Sequence, residues 1–95
     1  MIKAYYENML IGITNNFVIK DGKYFFPRNK VNFSLLKKSD THINSPHFGT
    51  ACFYNLETER IHESDIAWYY PETDESVKEL ENYITFNQKI RLIES

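Results

Sequence analysis

FVIKDGKYFF, residues Phe17 to Phe26, places two aromatic and β-branched runs on either side of Asp21-Gly22. Asp-Gly supplies the positive φ angles of a two-residue hairpin turn, and Val18, Ile19, Tyr24 and Phe25 are strand formers, so the stretch reads as a β-hairpin. Pro27 has no amide proton to give to a sheet ladder and closes it. The rest of the chain extends that β reading in both directions.

Upstream, Ile2 to Tyr6 and Met9 to Ile13 read as two short strands joined around Glu7-Asn8. Downstream, the β pattern lapses from Arg28 to Asp40, where Asn32 or Ser34 is suited to cap a single helical turn carrying Phe33, Leu35 and Leu36. Gly49 to Leu56 and Arg60 to His62 are expected to pair across Glu57-Thr58-Glu59. Asp65 to Tyr70 reads as another strand, stopped by Pro71. Thr73 or Asp74 can then cap an amphipathic helix running to about Phe86, with Glu75 in its first turn and Val77, Leu80, Tyr83 and Ile84 on its apolar face. Ile90 to Ile93 is expected to return as a short edge strand. The fold class is α+β, mainly β: antiparallel sheets, one C-terminal amphipathic helix and one short helical turn, in a single domain spanning residues 1–95.

A chain of 95 residues has room for one core, and with aromatics at 16% of the sequence Phe and Tyr must supply much of its buried area. The formal charge of −2, with acids and bases interspersed, offers no basic stripe for phosphates, so nucleic acid is not an expected partner. The single cysteine, Cys52, excludes an internal disulfide. Met9 to Ile13 is too short for a signal segment or a membrane span. The expectation is a soluble, cytoplasmic protein without membrane contact, monomeric or weakly dimeric.

His42, His47, Cys52 and His62 are possible zinc ligands, yet their spacing matches no finger or ribbon, so no metal and no cofactor is expected. Cys52 lies mid-strand, where a free thiol is usually a small apolar side chain. For acid-base work, Asp65 and His42 are the catalytic candidates. His42 lies in the polar segment Ser39-Asp40-Thr41-His42, a loop between two structured regions whose residue types favour a hydrogen-bonded turn over a site. Period-two alternation points Asp65 and Ala67 one way and Ile66, Trp68 and Tyr70 the other, while Gly49 and Ala51 form a second row of small residues. The volume these rows leave is filled by a side chain from elsewhere, such as Phe33 or Tyr83, or by a ligand.

Tyr24-Phe25-Phe26-Pro27, Ser39-Asp40-Thr41, Pro46, Gly49-Thr50-Ala51, Phe53-Tyr54, Asp65, Ala67-Trp68 and Tyr70-Pro71, in this order, resemble domain of unknown function 427. The resemblance covers nearly the whole chain. It implies a β-tent-like fold, two antiparallel sheets set at an angle with the helix near the C-terminus. The Cys-x-x-Cys knuckles of other β-tent proteins are absent. So are the Gly-Ser and paired aspartates that the family's occasional nucleotidyltransferase label would require. Many members carry Cys-Pro-x-Lys-Gly where this chain has Ser45-Pro46-His47-Phe48-Gly49, so both the thiol and the ammonium are missing.

The leading expectation is a pocket between the sheets for an unknown small molecule. In that reading Asp65 orients the ligand, Thr41 and His42 contribute hydrogen bonds, Tyr54 and Trp68 form walls, and Pro46, Gly49 and Ala51 shape the backbone. The alternatives are a protein-interaction or structural module without a ligand site and, third, a small hydrolase or transferase.

Overall fold

The hairpin at Asp21-Gly22 forms as the sequence dictates. Asp21 and Gly22 take φ values of 51° and 76° between β3 (Val18–Lys20) and β4 (Lys23–Phe25). These belong to a computed structural model that describes residues 1–95. Before them lie β1 (Ile2–Tyr6) and β2 (Met9–Thr14), turned at Glu7 with φ 52°. After them come β5 (Leu36–Ser45), β6 (Gly49–Glu57), β7 (His62–Tyr69), β8 (Thr85–Phe86) and β9 (Arg91–Glu94).

The architecture is mainly β, with three antiparallel groups where two sheets were expected: β2-β1-β9, β3-β4 and β5-β6-β7-β8. Short bridges join them. Phe26 and Ile84 exchange backbone hydrogen bonds of 2.7 and 2.8 Å, which ties the hairpin to the strand leading into β8. Gly12 bridges Val31, bringing β2 against the segment before β5. The expected edge strand near the C-terminus is β9, paired with β1 and exposed along its length.

Two buried clusters form the interior. The larger draws Ile2, Ala4 and Ile11 from the first sheet and Tyr54, Leu56, Ile66, Ala67 and Phe86 from the four-stranded sheet, with Phe26 crossing Phe86 edge-on at 5.3 Å. The smaller contains Phe25, Ala51, Tyr70, Val77 and Leu80. Phe25 and Phe26, adjacent in a β run, thus serve different clusters, as period-two alternation requires.

The C-terminal amphipathic helix does not form. Glu75–Leu80 is a 3-10 segment kinked at Val77 (φ −129°), and Asn82 turns the chain with φ 67°. Ile84 then bridges Phe26, and Thr85 and Phe86 form β8 opposite Trp68 and Ala67. Local propensity leaves the choice open, because Asp, Ser, Val, Asn, Tyr, Ile and Thr are weak helix formers and a short helix needs packing to persist. Here β7 offers better packing to a β-branched and aromatic run. Val77, Leu80 and Ile84 are all buried, so the apolar assignment holds while the period behind it does not.

The segment Ser39 to His42 also differs from its expected role. It is not a loop between structured regions but part of β5, a long edge strand in which only Leu36 is buried. One 3-10 turn spans Phe33–Leu35, with the Asn32 side chain accepting from the Ser34 amide as the capping pattern predicts, and a second spans Arg28–Lys30. No helix is long and apolar enough to cross a membrane.

Candidate functional site

Register across the four-stranded sheet sets two transverse rows on one face. Lys38, Tyr54, Ala67 and Phe86 are opposite one another in turn, and so are His42, Cys52 and Tyr69. The first row runs under the main core. Arg28 covers the Tyr69 end of the second, and its His42 and Cys52 end is open. This row borders a depression of about 230 Å3 that is lined by Lys38, Ser39, Asp40, His42, Cys52, Phe53 and Tyr69. A neighbouring depression of about 420 Å3, lined by Gly49, Thr50, Cys52, Pro71 and Glu72, meets it at Cys52. Together they make an open groove over the β5–β6–β7 surface, with a half-buried thiol at its centre.

An arginine held among aromatic rings stands where the covered part of this face gives way to the open part. Arg28 lies over the rings of Tyr69 at 4.3 Å, Phe33 at 5.0 Å and Tyr54 at 5.8 Å, and its Nη1 donates to the Tyr54 hydroxyl at 2.9 Å. Its Nη2 is buried with no hydrogen-bond partner. The electron-rich ring faces meet that charge instead. Tyr54 and Tyr69 stack at 5.5 Å. Burial, followed by the neighbouring Tyr54 and Cys52, pushes the Tyr69 hydroxyl above its ordinary value, with Arg28 opposing.

Asp65 takes a left-handed backbone conformation, φ 55°, within β7. One carboxylate oxygen accepts from Ser39 Oγ at 2.5 Å and the other from Thr41 Oγ1 at 2.8 Å, while its amide donates to Asn55 Oδ1 at 2.9 Å. The Thr41 amide donates to Ser39 Oγ at 3.1 Å. Two irregular strands are buttoned together here. The bulge also breaks the alternation expected of β7, so Ile66 and Ala67 are both fully buried.

Of the residues singled out from sequence, His42 and Gly49 line the groove. Tyr54 lies behind it as part of the arginine's aromatic surround, and Thr41 and Asp65 are engaged with one another beside it. Ala51 and Trp68 belong to the opposite side, in or against the smaller buried cluster. Pro46 is exposed in the turn after β5. Glycine is required at position 49, since an added Cβ would lie 2.4 Å from the Glu72 carbonyl oxygen and φ is 118°. The small-residue rows are filled by the protein: Ala67 in the main core with Tyr54 and Phe86, Ala51 with Phe25, Val77 and Leu80.

His47 lines a separate depression with Lys20 and Asp74, and His62 faces Glu57 at 3.7 Å, so of the four possible zinc ligands only His42 and Cys52 are brought together. Of the positions where the resemblance implied Cys and Lys, Ser45 pairs with Gly49 at the end of β5, and Phe48 packs its ring 5.2 Å from Tyr70. Sequence reading passed over Lys38, Tyr69 and Arg28. Tyr69 was open to discovery, because it is two residues beyond Ala67 and shares its face. Arg28 carried no signal, since only the folded chain brings it to the tyrosines.

A family model described as a domain of unknown function (DUF427) matches residues 20–94. That is well over half of the chain, and the chain belongs to this family. Comparison with curated proteins finds no match.

Proposed function

We propose that this DUF427 protein binds a small molecule of metabolite size in the groove centred on Cys52. The observation that carries the reading is the junction of two depressions at that one residue, on an open part of this sheet face. The larger, at about 420 Å3, lies in the range of ligand sites, and the smaller, at about 230 Å3, adjoins it. Tyr69 and Phe53 contribute aromatic walls, His42 and Thr50 offer hydrogen bonds, and Lys38 offers a cation to an acidic group on the ligand. Asp65 supports the rim from outside, in place of the direct role assigned to it from sequence. No bond-making step is assigned.

The test is ligand-observed NMR with nucleotides, sugars and small carboxylic acids, using wild type, Cys52→Phe and, as a distant control, His62→Gln. Binding that is lost in Cys52→Phe and kept in His62→Gln is the expected result. Binding by none of these compounds, or binding indifferent to Cys52→Phe, overturns the reading.

The alternative of a protein-interaction module rests on the terminal sheet, where Leu10 and Ile93 are 41% and 36% exposed. It predicts self-association or partner capture that Leu10→Lys abolishes and Cys52→Phe leaves unchanged.

A further inference from the structure

We infer that Asp65 is a positioning residue for the groove: by holding the Ser39–Thr41 bulge it fixes His42 as the Nδ1–H tautomer and presents a bare Nε2 lone pair to the groove's occupant. The inference rests on the groove reading for its purpose but not for its evidence.

The argument begins with the register of β5 against β6. Lys38 is opposite Tyr54 and His42 is opposite Cys52, so three residues, Ser39, Asp40 and Thr41, stand against Phe53 alone. A bulge of this kind is a local departure from the ladder and needs a tether to hold one shape. Asp65 provides it through both carboxylate oxygens, and Asp65 is itself anchored by Asn55 through its amide and by Asn87 Nδ2, which donates to its carbonyl at 3.5 Å. The left-handed conformation at Asp65 is tolerated by Asp more readily than by most residues, and it aims the carboxylate at β5.

The consequence falls on Asp40, at the centre of the bulge. Its main-chain carbonyl lies 3.1 Å from His42 Nδ1. A carbonyl has no proton to give, so Nδ1 is the donor. In the neutral ring Nε2 is then an acceptor, because the bond made by one imidazole nitrogen decides the state of the other. An exposed imidazole without such a bond exchanges between its two tautomers. His42 is exposed and lines the groove beside Cys52 and Tyr69, so this choice decides whether the groove offers a donor or an acceptor there.

The test reads the imidazole nitrogens of His42 by long-range 1H–15N correlation NMR, at a pH where the ring is neutral. Wild type should show a protonated Nδ1 and a pyridine-like Nε2. Asp65→Ala should give a mixture of tautomers. So should the double variant Ser39→Ala/Thr41→Val, which removes the same tether while leaving Asp65 and its backbone in place, and which carries the test if Asp65→Ala does not fold. Asp40→Asn should change nothing, since the carbonyl and not the carboxylate makes the bond. A folded double variant that keeps the pure Nδ1–H form overturns the inference, as does a wild type with mixed tautomers. No ligand enters this measurement, so its failure is distinct from the failure of the groove as a binding site.

Discussion

The two sides of β6 differ by one residue in sequence and entirely in surroundings. Ala51 is 4% exposed beneath Phe25, Val77 and Leu80. Cys52, its neighbour, borders an open groove. Both are small side chains on the same strand. A small residue leaves space; whether that space becomes core or groove depends on whether a later segment crosses it. The Glu75–Leu80 segment crosses one side. On the other, the covering chain stops at Arg28 and Phe33.

This contrast can be broken first from the covered side. Leu80 is fully buried, and Leu80→Ala should cost about 2–5 kcal/mol in urea unfolding, the typical cost of a cavity left by a large aliphatic. A cost under 1 kcal/mol would mean that the segment packs loosely and that the two sides differ less than their burial indicates. Gly49→Ala tests the rim that both sides share. The new Cβ meets a backbone carbonyl that cannot swing away, and about 1–3 kcal/mol of destabilisation is expected, with chemical-shift changes at Glu72 and Thr50.

The open side should give smaller responses. Tyr54→Phe removes the hydroxyl that receives Arg28 Nη1 and should cost about 1 kcal/mol, with the ring stack preserved. Arg28→Lys should not restore what Arg28→Ala loses, because an ammonium cannot lie flat against Tyr69.

The smallest effect lies away from both sides and calibrates them. Hydrogen bonds from Lys89 and then Tyr6 hold Glu63 below its ordinary value of 4.5. Stability from this group is therefore complete above 4.5 and is lost as pH falls toward the lowered folded value. The same bond pushes Tyr6 up to about 12, so its contribution is complete below 10.0 and is lost as pH rises from there through about 12. Glu63→Gln should flatten both limbs of a melting-temperature profile by a small amount, as solvent-exposed contacts do.

Much of the β framework was legible. Asp21-Gly22, the cap at Asn32 and the edge strand at the C-terminus follow from chemistry that acts over a few residues. What was hidden depended on long-range partners. Tyr83 to Phe86 is compatible with helix or strand by pattern, and pairing to Trp68 and Ala67 decides it. β5 is an edge strand with polar residues on both faces and a bulge in its middle, so it carries no alternation to detect. The groove was half visible. Gly49 and His42 were found because turns and polar segments draw the eye, whereas Lys38 became relevant only through its place in the folded sheet.

Trp68 and Tyr69 follow one another along β7 and lie on opposite sides of the sheet. Trp68 is the sole tryptophan of the chain, with its indole nitrogen donating to the Tyr70 hydroxyl at 3.2 Å and its ring 5.5 Å from Phe53. The protein's intrinsic emission is consequently a one-sided gauge. It should redden when the Glu75–Leu80 segment lifts away and answer a guest beside Cys52 only indirectly, through Phe53, so a fluorescence screen for ligands would be reading mostly from the wrong side of the sheet.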